Sequence, residues 1–194
     1  SEALSTAGGC YGVRVGPDDM VYTGDGVRVY RIDPDTGTRT TFVSGISGPR
    51  VMDFSPDASR MYIGTNYDGA VWYVDLDEDM RPISAPTRFY SDVGGYWMDG
   101  LAVDICGNVY VAEYNTGAMY RISPDATEIR TLWNLGAGGT LYGHGIMWGS
   151  GVGGWDDHTI FIPQPYNGNK VGEVYIGLPY RTWEGTVLNR IPML

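Results

Sequence analysis

Short apolar runs alternate with polar turns along the whole chain, and no stretch carries apolar residues at helical spacing. Four segments share one layout. They read GVRVGPDDMVYTGDGVRVYRIDPDTGTRTTF from 12, RVMDFSPDASRMYIGTNYDGAVWYVDLDEDM from 50, DGLAVDICGNVYVAEYNTGAMYRISPDATEIRTL from 99 and HGIMWGSGVGGWDDHTIFIPQPYNGNKVGEVYIG from 144. Each predicts an apolar strand, a polar turn, a second apolar strand, a Gly- or Asn-containing loop and a third alternating strand. The first three run on through a further turn into a fourth strand. Gly12, Val51, Gly100 and Gly145 open the first strands, with separations of 39, 49 and 45 residues. Tyr22, Tyr62, Tyr110 and Phe161 correspond in the second strands. Tyr30, Trp72, Tyr120 and Val174 correspond in the third.

A period of ~40–50 residues with four strands per unit is the mark of a β-propeller blade. Each such sheet is apolar on both faces and must stack on neighbours to bury them. A β-sandwich would give similar hairpins, but not the same residue types in the same slots. The expected fold is all-β: one propeller domain over 1–194, with blades at about 8–45, 46–95, 96–139 and 140–185. Four blades either close a ring by themselves, form part of a larger ring, or leave a gap for a partner. An open half-ring with bare edges is the least favourable of these.

Composition sharpens this picture. Gly (29) and Tyr (15) are abundant beside only 4 Phe, which suits strands and tight turns. The net charge of −10 repels phosphate backbones and anionic lipid, so neither nucleic acid nor a membrane is an expected partner. No apolar run approaches the ~20 residues of a membrane span. The opening SEALSTAGGC lacks the basic start and apolar centre of a signal peptide, and the compartment stays open between cytoplasm and export. Cys10 and Cys106 are too few for a disulfide framework, and a strand's length separates them, so no bridge between them is expected.

Candidate chemistry follows from the repeat. Strand one of each blade is innermost, so Tyr11, Arg50, Asp99 and His144, each just before a first strand, should surround the axis at one end. Asp25, Thr65, Glu113 and Gln164 end the second strands at the same face, with Asn66, Tyr114, Asn115 and Tyr166 beside them. Asp99 and Glu113 could ligate a hard cation such as calcium through oxygen. His144 could move a proton near pH 7. Arg50 could grip a carboxylate or an oxyanion, with Tyr11 adding a hydrogen bond. An Arg50–Asp99 ion pair could equally serve only to tie two blades together. The acidic turn Asp75, Asp77, Glu78, Asp79 and the Gly-rich 149–157 segment read as solvated loops. His158 reads as a solvated turn residue, and Trp148 and Trp183 as packing aromatics.

The third repeat, MDGLAVDICGNVYVAEYNTGAMYRISPD, resembles the senescence-marker-protein (regucalcin), gluconolactonase and luciferin-regenerating family. The second, with DFSPDASRMYIGTNYDGAVWYVDLD, is similar to the neighbouring blade of that family. The resemblance spans about residues 8–180. WD-repeat and kelch signatures are missing. The resemblance implies a six-bladed propeller with a divalent cation, usually calcium, in the axial channel, and hydrolysis of lactones or related esters there. The aspartate of the family's Asp-Gly pair matches Asp99. The asparagine expected before the second repeat falls on Arg50, that before the first falls near Cys10 or Tyr11, and an expected glutamate has no counterpart. Two functions follow as expectations. One is a lactone or ester hydrolase acting on a small molecule through His144, Asp99, Arg50 and Tyr11, with Asp25, Asn66, Glu113 and Gln164 binding the ligand and Asp99 and Glu113 holding calcium. The other is a non-catalytic ligand- or protein-binding propeller, part of a larger assembly or homo-oligomer.

Overall fold

A computed structural model describes residues 10–134, 144–165 and 169–180. Tyr166 and Trp183 lie outside the described residues. The first sheet comprises β1 (Val13–Val15), β2 (Val21–Gly24), β3 (Val29–Ile32) and β4 (Arg39–Val43). The second comprises β5 (Pro49–Phe54), β6 (Arg60–Thr65), β7 (Val71–Asp75) and β8 (Thr87–Tyr90). The third comprises β9 (Met98–Val103), β10 (Val109–Glu113), β11 (Ala118–Ile122) and β12 (Ile129–Asn134). The fourth comprises β13 (Met147–Trp148), β14 (Thr159–Gln164) and β15 (Lys170–Tyr175). Strands within each sheet pair in chain order and antiparallel, so four up-and-down blades follow one another in a propeller arrangement. There is no helix among the described residues, and hence none long and apolar enough to cross a membrane.

Turn chemistry sets the blade ends. In the second blade the Ser55–Arg60 turn is closed by Asp57, which accepts hydrogen bonds from the Ser55 hydroxyl (2.6 Å) and the Ser59 N–H (3.1 Å). Asp125 repeats this in the third blade, accepting from the Ser123 hydroxyl (2.6 Å) and the Thr127 N–H (3.2 Å). The side-chain carboxylate thereby mimics a backbone turn. The acidic 75–79 stretch is a hairpin of the same kind. Asp77 takes the Arg81 N–H (2.7 Å), and Asp79 pairs with the Arg81 guanidinium.

The period-two alternation of each strand divides its side chains between two interfaces. Met52, Phe54, Met61 and Ile63 of the second blade pack toward Tyr22 and Val29 of the first. Val51, Tyr62 and Val71, from the opposite face of that sheet, pack with Met98, Leu101 and Val109 of the third. Ala102, Tyr110 and Ala112 then turn the other way, toward Ile146, Ile160 and Ile162 of the fourth. Each interface holds one apolar cluster. Phe54 is fully buried and alone contributes about 2–3 kcal/mol by removing its ring from water. The equivalent Tyr22, Tyr62, Tyr110 and Phe161 are all buried, as their shared slot requires.

Neighbouring innermost strands crowd together near the axis. A Cβ on Gly100 would come within 2.6 Å of the Gly145 carbonyl carbon and 2.8 Å of the Ile146 N. Only glycine leaves room for that approach. Further down the channel, Arg14 on β1 meets Asp53 on β5 at 3.2 Å. Its guanidinium also donates to the carbonyls of Met52 (3.3 Å) and Leu101 (2.9 Å). Asp53 is fully buried and accepts the Val103 N–H (2.8 Å) and the Tyr180 hydroxyl (3.2 Å). Tyr180 follows the fourth blade, and its bridge to Asp104 carries it back across the lower end of the channel. This cluster ties three blades to the segment beyond the fourth.

Candidate functional site

Two backbone irregularities create the site. In the β5–β6 ladder Pro49 pairs with Thr65 and Val51 with Gly64, so Arg50 is an extra residue with no partner. In the β9–β10 ladder Met98 pairs with Glu113 and Gly100 with Ala112, so Asp99 is extra in the same way. A bulge re-aims the side chain of its extra residue and ends regular pairing, and such bulges concentrate beside functional sites. His144 is held at the mouth of the fourth blade by its N–H to the Pro163 carbonyl (2.9 Å). The next residue, Gly145, donates its N–H to the Asp99 carbonyl (2.9 Å). Tyr11 is fixed in the first blade by its N–H to the Gly24 carbonyl (3.0 Å).

These four side chains share one cleft of about 350 Å³, lined along its length by β1, β5, β9 and the start of the fourth blade. Asp99 lies at its centre with a nearly buried side chain. The Arg50 Nε pairs with Asp99 Oδ1, and the His144 Nδ1 lies 2.8 Å from Oδ2. Tyr11 covers the other side of Arg50, with the guanidinium carbon 4.7 Å from the ring centroid. Tyr114 packs edge-on against the His144 ring at 5.0 Å, and Trp97 lies 5.4 Å beyond Tyr114. Burial pushes the Asp99 carboxyl above the ordinary carboxylate range. The charges of Arg50 and His144 pull against that rise, and the negative Glu113 adds to it.

The second group of sequence candidates stays out of the cleft lining. For Asp25, Thr65 and Glu113 the reason is local, since each belongs to a hairpin loop that uses its polar atoms. Asp25 accepts the N–H groups of Val27 (2.8 Å) and Arg28 (2.7 Å). Desolvation pushes its pKa up, but the hydrogen bonds from Arg28, Val27 and Tyr30 and the Arg28 charge together outweigh it, and the net pKa is lowered. The Thr65 hydroxyl donates to Asp68 and to the Ala70 carbonyl. Glu113 is fully buried. It accepts N–H groups from Trp97 (3.3 Å), Asn115 (2.9 Å) and Thr116 (2.6 Å), and the Thr116 hydroxyl (2.5 Å). Gly95 makes room for it: a Cβ there would overlap the Glu113 carboxyl group. Asn66 and Gln164 are buried at the ends of β6 and β14.

A divalent ion between Asp99 and Glu113 would need oxygen ligands free to face it. Asp99 faces Arg50 and His144, and Glu113 is engaged by three donors of its own loop and by the Trp97 N–H from the segment before β9. As arranged, the two carboxylates do not fit such an ion. Asp156, Asp157 and His158 are the one group among the described residues whose ligand atoms, all within 4.8 Å, could meet at one ion. It lies in an exposed turn at the opposite end of the blade from the cleft, where His158 Nδ1 pairs with Asp157 at 2.7 Å. Cys10 and Cys106 are both free and exposed. Arg14, Asp53 and Tyr180 had no signal in the repeat, since only the assembled channel brings them together.

Residues 13–137 match the family model described as the SMP-30/gluconolactonase/LRE-like region. The pentonolactonase of Haloferax volcanii is 31% identical over 105 residues, covering 54% of this chain and 36% of the relative. The gluconolactonase of Zymomonas mobilis is 30% identical over 116 residues, covering 55% and 30%. The chain thus spans well under half the length of these curated relatives. Among solved structures, a calcium-binding protein, regucalcin, from Agrobacterium tumefaciens superposes with a TM-score of 0.67 at 19% identity. The match covers 88% of this chain and 62% of that one.

Proposed function

The chain belongs to the SMP-30/gluconolactonase/LRE-like family, and from that premise we propose that its cleft binds a small lactone or ester and hydrolyses it. The observation that carries the reading is the convergence of Arg50, Asp99 and His144, from three successive blades, on one open cleft. Asp99 orients the His144 ring through Nδ1; Nε2 is shielded from solvent in this arrangement, so the ring must swing toward the cleft before Nε2 exchanges a proton. A water gives its proton to Nε2 as its oxygen attacks the ligand's carbonyl carbon. Arg50 stabilises the charge that builds on the carbonyl oxygen. The ring C–O bond then breaks, and His144 returns the proton to the leaving alkoxide, so a hydroxy acid departs. Tyr11 holds the guanidinium from its open side. Asp25 and Glu113 shape the loops at the ends of their second strands.

Acid release from glucono- and pentonolactones, followed with a pH indicator, tests the proposal. The expected result is turnover that falls at least 10²-fold in His144→Ala and in Asp99→Asn, with both proteins folded. Equal rates in the native protein and both variants would overturn it. A second reading, ligand binding without turnover, is favoured by the ion contacts that Arg50 and His144 make with the two oxygens of Asp99. It predicts saturable lactone binding and no acid release. The ring itself we read as of the six-bladed kind, a reading supported by the exposed Val13 and Met147 on the innermost strands of the first and fourth blades.

A further inference from the structure

A nearly buried carboxylate in an open cleft must have a positive partner or lose its charge. Asp99 has such a partner in Arg50, whose guanidinium is charged at every accessible pH. The guanidinium is fixed on two sides, by Asp99 at its Nε edge and by the Tyr11 ring at its face. Among the described residues, neither of its Nη nitrogens has a hydrogen-bond acceptor. His144 occupies the second oxygen of Asp99. Glu113 is a second carboxylate near enough to influence Asp99, and its oxygens serve backbone N–H groups of its own loop and of Trp97. The cleft therefore presents a permanent positive charge where a metal-dependent hydrolase would need exposed oxygens.

We propose that Arg50 is the resident cation of this cleft: its guanidinium takes the ground against Asp99 that a divalent ion would occupy, and its Nη groups receive the ligand's carbonyl or carboxylate oxygen directly. The inference rests on the proposed use of the cleft for an oxygen-bearing ligand. It separates from the hydrolysis reading because its test needs no turnover. Two consequences follow. Calcium and the Arg50 side chain are mutually exclusive at Asp99. Shortening Arg50 to a neutral oxygen donor uncovers a carboxylate that then binds a divalent cation.

The test is a calcium titration, read by thermal unfolding and by calorimetry, on the native protein, Asp99→Asn and Arg50→Asn, each first freed of metal by chelator. The native protein and Asp99→Asn should respond identically. Any calcium effect they share belongs elsewhere, the Asp156–His158 turn included. Arg50→Asn should gain a saturable site, and its unfolding midpoint should rise by roughly 5 °C at calcium a hundredfold above its dissociation constant. A calcium-induced rise in the native protein that vanishes in Asp99→Asn would overturn the proposal. So would a folded Arg50→Asn that gains no site. If Arg50→Asn does not fold, the comparison of the native protein with Asp99→Asn decides alone. Loss of lactone turnover with no calcium site at Asp99 would sink the hydrolysis reading and leave this one standing.

Discussion

Replacing Asp53 by Asn removes one charge and almost no volume from the lower end of the channel. Asp53 is fully buried, while the Arg14 side chain is 24% exposed. An Asn oxygen can still accept the Val103 N–H, so the backbone bond at 2.8 Å survives. What is lost is the partner of the Arg14 guanidinium, whose charge Asp53 and then Tyr180 hold in place against the cost of burial. Stranding one member of a buried pair costs about 3–5 kcal/mol. The partial exposure of Arg14 lets water share the burden, which puts the expected loss near the lower end, about 3 kcal/mol. For a chain of this size that is roughly 6–12 °C in unfolding midpoint. Urea unfolding at pH 7 should show a lower midpoint concentration with an unchanged slope. Adding Arg14→Met to Asp53→Asn should recover most of the loss, because the second change removes the stranded charge. A loss below about 1 kcal/mol, or a double variant weaker than Asp53→Asn, would refute the view of this cluster as a paired lock between blades.

Two further outcomes follow from the same structure. Gly100→Ala places a methyl group against the backbone of Gly145 and Ile146. It should part the third and fourth innermost strands, at a cost of roughly 1–3 kcal/mol in urea unfolding, and it should raise KM for any cleft ligand more than Gly145→Ala, whose Cβ meets open space but at a positive φ. The turn aspartates Asp57 and Asp125 have pKa values lowered chiefly by the Ser55 and Ser123 hydroxyls. The unfolded chain therefore binds more protons than the folded one as pH falls below about 4, and the stability these groups confer is present above that pH and lost beneath it. The stability gap between the native protein and an Asp57→Asn/Asp125→Asn double variant should close between about pH 4 and pH 2. A gap that stays constant across that range would contradict the assigned hydrogen bonds.

What the sequence determined by itself is whatever repeats at short range. Period-two alternation placed Tyr22, Tyr62, Tyr110 and Phe161 in one buried slot, and the SPDA turns placed the hairpins, because strand pleat and turn geometry depend on residues within a few positions of each other. The repeat also placed Tyr11, Arg50, Asp99 and His144 at one end of the innermost strands, since equivalent positions of like blades meet at the axis. Tertiary structure decided the rest. Whether Glu113 would face the cleft or its own loop turned on the close approach of Gly95, a residue on a different strand connection. Whether Asp99 would offer its oxygens to a cation or to Arg50 turned on two bulges that no residue type announces. The Arg14–Asp53–Tyr180 cluster joins positions as far as 166 residues apart in the sequence, Arg14 to Tyr180. Electrostatic partners of that kind are chosen by distance in space, and only packing the blades around one axis creates that distance.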